Sequence, residues 1–207
     1  MQNAVGFYWT LPVPWQGFTR LPEDVDEAAR LSTTVRYQAS LIRHYAPEHG
    51  FRLVDEKVFM ELQPDRGTKH VADALKRVAP ACRAHDAILL LVDFSQAQNW
   101  RSHAPLQAAC TRLGLEVHPV YPDEIMLDGR RFDPQEHFAR WRERQHDWSD
   151  GKEGRVAAAL ARARILREAG VSLAKTAMQL NAEGFRSATG RDWTAEGVRK
   201  LIGTTRA

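Results

Sequence analysis

The residues best suited to chemistry on a charged ligand lie in the last forty positions of the chain. Cations and hydroxyls alternate there, and the candidates are Lys175, Arg186, Ser187, Thr189, Arg191, Thr194, Glu196, Arg199 and Lys200. Lysine and arginine neutralise phosphates and hydroxyls bond to phosphate oxygens, so this set is typical of contacts to double-stranded DNA. Glu196, Arg199 and Lys200 are the candidates for base edges, and the loop residues are the candidates for the backbone.

The distribution of charge supports this interpretation. Residues 1–133 hold 15 Lys and Arg against 17 Asp and Glu, whereas residues 134–207 hold 14 against nine. The net charge of +3 is therefore the sum of −2 and +5. A basic segment attached to a neutral one is a usual footprint of nucleic-acid binding, although a solvated helix face with the same charges is the alternative.

Two short helices are expected to position these side chains. Ser172 is a suitable N-cap for a helix that ends near Glu183, and Thr194 is a suitable cap for a second helix over residues 195–202. A second helix preceded by a basic loop matches a helix-turn-helix, in which that helix enters the major groove. A helical hairpin that never touches DNA remains open, since the linker is longer than in a compact helix-turn-helix.

The first 133 residues alternate short apolar runs with helical patterns. Strands are expected at residues 4–9, 51–59, 87–93 and 115–121, with helices at 34–48, 69–84 and 103–113. This order predicts an α/β fold, an open and mostly parallel sheet with helices on both faces. A hairpin is expected around Asp128-Gly129.

Ligands of such sheets gather at the carboxyl ends of the strands, which here are residues 10–14 and 93–96. Neither loop is glycine-rich, so we expect no nucleotide cofactor. Cys82 and Cys110 lack metal-ligand spacing and are expected to be buried thiols, without a metal site or a disulfide.

A helical stretch over residues 135–169 joins the two regions, either as one kinked helix or as two helices that meet near Gly151. Its apolar stripe of Val156, Leu160, Ala163 and Leu166 could pair two copies into a dimer or pack within its own domain. The expected domains are residues 1–133, 134–169 and 170–207. We find no apolar run long enough for a membrane helix and no signal peptide, so a cytoplasmic protein that does not contact membranes is expected.

The C-terminal residues resemble the recombinase domain of serine recombinases. The matching segments are Ser172-Leu173-Ala174-Lys175-Thr176-Ala177, Leu180-Asn181-Ala182-Glu183-Gly184, Thr189-Gly190-Arg191-Asp192-Trp193-Thr194 and Val198-Arg199-Lys200-Leu201-Ile202. The resemblance implies a DNA-binding helix-turn-helix that follows a resolvase-like α/β domain.

The resemblance fails at the catalytic positions. Family members carry Tyr-x-Arg-x-Ser on the first strand, where this chain has Phe7, Trp9 and Leu11. After the third strand Asp93 is kept, whereas Phe94 and Ala97 replace arginines. Leucine cannot act as a nucleophile, and neither tryptophan nor phenylalanine supplies the charge that phosphoryl transfer requires.

Two further family positions, Gln38 and Arg66, look retained. Thr10 and Ser95 are the hydroxyls that could replace the nucleophile. Trp9, Trp15 and Phe18 could stack on bases or fill the space of the missing side chains.

Three hypotheses follow: a DNA-binding protein that has lost strand cleavage, an active recombinase with an unusual nucleophile, or a non-catalytic partner of an active recombinase.

Overall fold

The chain is described by a computed structural model that covers residues 1–61, 69–96 and 103–203. Its sheet contains strands β1 (Gln2–Thr10), β2 (Phe51–Met60), β3 (Ala87–Val92) and β4 (Val117–Val120). The strand order is β2-β1-β3-β4, and every neighbouring pair is parallel. The predicted α/β class and parallel sheet are confirmed.

Helices α1 (Val25–Leu31), α2 (Thr33–Glu48), α3 (Val71–His85) and α4 (Ala104–Leu113) flank the sheet. Val5 and Phe7 of β1 belong to a core cluster with residues of α3 and α4. Because side chains alternate along a strand, the neighbouring residues of β1 face the other side. Helix α1 is an element that the hydrophobic pattern did not predict; Asp24 caps it by accepting from the N–H of Glu27 at 2.8 Å.

The expected hairpin is present as strands β5 (Ile125–Leu127) and β6 (Arg130–Phe132). Its two loop residues, Asp128 and Gly129, both have positive φ, at 52° and 73°. Such a turn matches the twist of two-residue hairpins and explains why Asp-Gly occupies it.

The remaining helices are α5 (Pro134–Asp150), α6 (Lys152–Glu168), α7 (Leu173–Ala182) and α8 (Ala195–Gly203). Of the two alternatives for residues 135–169, two helices that meet at Gly151 are present. The N–H of Gly151 still donates to Asp147 and the N–H of Arg155 to Gly151, both at 3.1 Å. Helical hydrogen bonds between residues four apart therefore continue across the junction.

Two compact units divide the chain. One comprises Met1–Pro12 and Arg20–Arg140, and the other comprises Val13–Thr19 and Trp141–Ala207. We call these the first and the second unit, and we call Val13–Thr19 the strap. No helix in the described residues is long and apolar enough to cross a membrane.

Candidate nucleic-acid interface

The second unit has a small core built from helices α6, α7 and α8. Its buried members are Ala159, Ala163, Ala177, Leu180, Trp193 and Val198. Ala163 of the predicted apolar stripe is therefore used inside its own unit. Alanines on α6 allow α7 and α8 to approach closely, and the polar faces of those two helices are left at the surface.

Helix α8 carries two of the predicted cations, Arg199 and Lys200. Thr194 caps it, because its hydroxyl accepts from the N–H of Gly197 at 3.0 Å and its carbonyl accepts from Val198 at 2.9 Å. Val198 is buried, whereas Glu196, Arg199 and Lys200 are exposed. One face of α8 thus holds the helix in place and the other carries charge.

Asn181 at the end of α7 anchors the loop that precedes α8. Its amide nitrogen donates to the carbonyl of Trp193 at 3.0 Å, and its amide oxygen accepts from the N–H of Trp193 at 2.7 Å. Trp193 itself is only 8% exposed. Both ends of the loop are consequently fixed to the core of the second unit.

The middle of the loop is a tight turn. The N–H of Ser187 donates to Arg191 and the N–H of Gly190 donates to Ser187, both at 2.9 Å. The Ser187 hydroxyl accepts from the N–H of Arg191 at 3.1 Å and lies 3.2 Å from the Thr189 hydroxyl. Ser187 therefore shapes the turn, and Thr189 and Arg191 are exposed beside it.

The five predicted cations of this unit differ in their partners, and Lys200 lies 3.8 Å from the Glu196 carboxylate. The Arg186 guanidinium donates to the carbonyls of Asn181 and Phe185 at 3.2 and 3.1 Å, so it covers the carboxyl end of α7. Arg199 is paired with Glu196. Lys175 and Arg191 are exposed, and neither forms an ion pair with an acid among the described residues.

The strap contacts the same loop and was not predicted from the sequence. A Cβ built on Gly190 would lie 2.2 Å from Pro14 Cβ and 2.9 Å from Pro14 Cα. Trp15 packs against Trp141, with ring centroids 6.0 Å apart. Gly190 has a φ of 78°, so glycine satisfies both the backbone and the close approach.

Aromatic side chains occupy the carboxyl end of the sheet in the first unit. Trp9 lies 5.5 Å from Phe94 and 6.3 Å from Phe138 between ring centroids, and Phe94 lies 4.8 Å from Phe138. Phe7, Leu11 and Phe94 are at most 4% exposed. The resemblance expects a nucleophile at Leu11 and arginines at Trp9 and Phe94. All three side chains are instead part of apolar packing.

Gln38 has a structural role in this region. Strand β3 pairs with β1 only as far as Gly6, and Gln38 donates to the carbonyl of Trp9 at 2.5 Å and accepts from its N–H at 3.2 Å. Asp93 accepts from the N–H of Ser95 at 2.8 Å. Arg66 and Ala97 lie outside the described residues.

The candidate replacement nucleophile Thr10 is 2% exposed. Its hydroxyl lies 2.9 Å from that of Ser32, which also caps α2 by accepting from Val35. Among the described residues, the Thr10 hydroxyl contacts the Ser32 hydroxyl and the Leu11 carbonyl but no titratable base. Ser95 is half-buried, and its backbone N–H donates to Asp93.

A buried acid and histidine lie near the same edge and were missed by the sequence analysis. Glu61 is 2% exposed, and its carboxylate lies 2.6 Å from His103 Nε2. His103 Nδ1 accepts from the N–H of Leu106 at 3.1 Å, so the ring proton belongs on Nε2. Both ring nitrogens are occupied, and the pair fixes the start of α4 to the end of β2.

Cys82 and Cys110 are free and buried in the core of the first unit, as predicted. Burial raises the pKa of both thiols, to about 11 for Cys110. Within the described ranges, no group of three or more His, Cys, Asp or Glu side chains could hold a metal ion.

No protein-family model matches this chain, and neither a curated protein nor a solved structure matches it.

Proposed function

We propose that this chain binds double-stranded DNA through α7, the loop of residues 183–194 and α8, arranged as a helix-turn-helix of the serine recombinase type. The observation that carries the proposal is the division of α8 into a buried apolar face and an exposed charged face. The exposed face adjoins a loop with two further cations. A helix held in this way can enter a major groove while the loop contacts phosphates.

The charge of the second unit supports the proposal. Trp141–Ala207 contain 13 Lys and Arg and eight Asp and Glu, while the strap carries no charge. Lys175 and Arg191 are suited to hold phosphates, because no acid competes for them in the described part of the chain. Arg186 contributes by fixing the loop.

We further propose that a resolvase-like first unit has lost strand cleavage. Phosphoryl transfer needs positioned positive charge and an activated nucleophile. The apolar cluster of Trp9, Phe94 and Phe138 supports this loss, as does the burial of Thr10. The first unit then serves contact with a partner, and residues 135–169 serve association with a second copy or with an active recombinase.

Fluorescence anisotropy with labelled random-sequence duplexes tests DNA binding. We expect binding at low salt whose logarithm falls linearly with the logarithm of salt concentration. Arg191→Gln and Lys175→Gln should each weaken binding to every sequence and reduce the slope by about one. Arg112→Gln, which removes an exposed charge from α4 of the first unit, is the matched control. Absence of binding to any duplex at low salt would refute the proposal.

Covalent trapping separates binding from cleavage. Incubation with supercoiled DNA followed by denaturing electrophoresis should yield no protein–DNA adduct. An adduct that disappears in Thr10→Ala or Ser95→Ala would instead establish an active recombinase.

A further inference from the structure

The charged face of α8 is a network of three side chains in which an acid holds both cations. Arg199 Nε and Nη2 donate to the two oxygens of the Glu196 carboxylate at 2.8 and 2.7 Å. Lys200 Nζ lies 3.8 Å from the same carboxylate. Positions 196, 199 and 200 are three and four residues apart, so the helix brings these side chains together.

The pairing occupies the edge of Arg199 that DNA would use. The Nε and Nη2 edge of a guanidinium binds carboxylates and phosphates in the same two-pronged geometry. Arg199 therefore cannot bind a phosphate or a guanine through that edge while it is bound to Glu196. The hydrogen bonds from Arg199 lower the pKa of Glu196, so the acid is a carboxylate at neutral pH.

Exposure makes this pairing easy to exchange. The side chains of Arg199 and Glu196 are 67% and 52% exposed. Ion pairs at such positions contribute little net stability, because both groups are well hydrated when apart. A ligand that offers a donor to Glu196 and acceptors to Arg199 can thus replace the pair, whereas a phosphate alone leaves the carboxylate facing a polyanion.

We propose that Glu196 is a specificity-determining residue, which withholds Arg199 from DNA phosphates and releases it at a C·G base pair. This inference rests on the proposed DNA binding. A C·G pair presents the cytosine amino donor next to the guanine O6 and N7 acceptors in the major groove. The carboxylate accepts from cytosine N4, and the freed guanidinium donates to guanine. Adenine fits less well, because its N7 acceptor lies beside its amino group and repels a carboxylate.

The contrast with Lys175 and Arg191 supports this division of labour. These two cations form no ion pair among the described residues, so they are available to phosphates of any sequence. Arg199 and Lys200 bring their own counter-charge, so they add little to binding of the wrong sequence. Specificity thus comes from the repulsion between Glu196 and the wrong sequence as much as from the attraction between Arg199 and guanine.

The test uses the full chain. Selection from a random duplex pool gives the preferred site, and anisotropy then measures each C·G pair replaced by T·A. Wild type should lose roughly 5- to 150-fold in affinity at one such pair. Glu196→Gln should bind random duplexes more tightly, with a salt slope steeper by about one. Its preference at that pair should collapse or move to A·T, because glutamine pairs with adenine.

Two variants serve as controls. Glu153→Gln removes an exposed charge from α6, and Glu124→Gln releases Arg131 of the first unit from a similar two-pronged pair. Neither should change the preference at the C·G pair, and circular dichroism should show equal helix content in all variants. The proposal is overturned if Glu196→Gln keeps the wild-type preference and salt slope. It falls together with DNA binding if wild type binds no duplex, which is a distinct result.

Discussion

Two amide side chains each complete the hydrogen bonding of a tryptophan backbone. Gln38 serves Trp9 in the first unit and Asn181 serves Trp193 in the second. An unpaired backbone group in a buried position is unfavourable, so these amides stabilise the end of strand β1 and the loop before α8. The sequence analysis named both residues as matches to the family pattern. It could not predict these hydrogen bonds, because each tryptophan is distant from its amide along the chain.

Asn181→Ala should destabilise the second unit. The substitution leaves the N–H and carbonyl of Trp193 without partners, and we expect a loss of about 1–3 kcal/mol. Asn181→Asp keeps the acceptor and loses the donor, so it should fall between wild type and alanine. Hydrogen exchange of α7 and α8 amides measures the effect. Unchanged protection in Asn181→Ala would contradict this role.

A second residue-scale prediction concerns acid. Glu183 accepts from Arg162 at 2.7 and 2.5 Å and from Gln179 at 2.8 Å. These bonds, those from Arg162 first, lower its pKa from 4.5 to about 2. The unfolded chain therefore takes up a proton before the folded chain does as the pH falls.

The stabilisation from Glu183 is thus complete above about pH 4.5 and is lost as the pH falls to about 2. In Arg162→Gln the free energy of unfolding should depend less on pH across this interval. Urea denaturation at several pH values measures the difference, which should be modest because the pair is partly exposed to solvent. Parallel pH profiles for the two proteins would count against the pairing.

At the scale of elements, regular structure follows from local signals and irregular structure does not. The aliphatic run at residues 88–92 specified β3, and Asp-Gly specified the hairpin turn. The ends of α2 and α4 follow from Gly50 and Gly114, which both have positive φ. Helix α1 was missed because its signal is a cap, Asp24 with Glu27, before a short charged segment with little apolar periodicity.

The strap was beyond sequence reasoning for a different reason. Pro14 and Gly190 carry no pairing signal, and their contact depends on tertiary structure. For the candidate interface, the sequence predicted the caps Ser172 and Thr194 and the exposed cations. It could not predict that Arg186 covers a helix end or that Arg199 is held by Glu196, because both are choices among nearby polar partners.

Gly190→Ala tests the contact between the strap and the loop. Gly190 and Gly184 have similar φ angles, 78° and 82°, but a Cβ on Gly184 would meet nothing within 4 Å. Gly184→Ala should therefore lose only the left-handed backbone term, about 1–2 kcal/mol. Gly190→Ala should lose more, because its Cβ also collides with Pro14.

Thermal denaturation of both variants gives the comparison. Adding Pro14→Gly to Gly190→Ala should recover part of the difference, since the proline ring is then gone. Equal losses of stability in Gly184→Ala and Gly190→Ala would show that Pro14 of the strap is not in close contact with Gly190.

At the scale of the whole molecule, each of the two units has a hydrophobic core cluster with a fully buried leucine. Leu75 belongs to the cluster of the first unit and Leu180 to that of the second. Truncation of a buried leucine removes apolar burial and leaves a cavity. Because each unit has its own core, local losses of stability should follow the unit that is altered.

Leu75→Ala and Leu180→Ala should each cost about 2–5 kcal/mol. Hydrogen exchange should show lower protection mainly in strands β1 and β3 for the first variant and in α7 and α8 for the second. Only Leu180→Ala should abolish tight DNA binding. A uniform loss of protection across both units in either variant would contradict independent cores.

The strap has a consequence for how this protein can be divided at the level of its gene. The second unit is assembled from two stretches that are far apart in the reading frame, Val13–Thr19 and Trp141–Ala207. An expressed fragment that starts at Trp141 would lack Pro14 and Trp15, and Gly190 and Trp141 would lose their neighbours. A fusion that carries residues 13–19 on a flexible linker is the minimal form that keeps every one of these contacts.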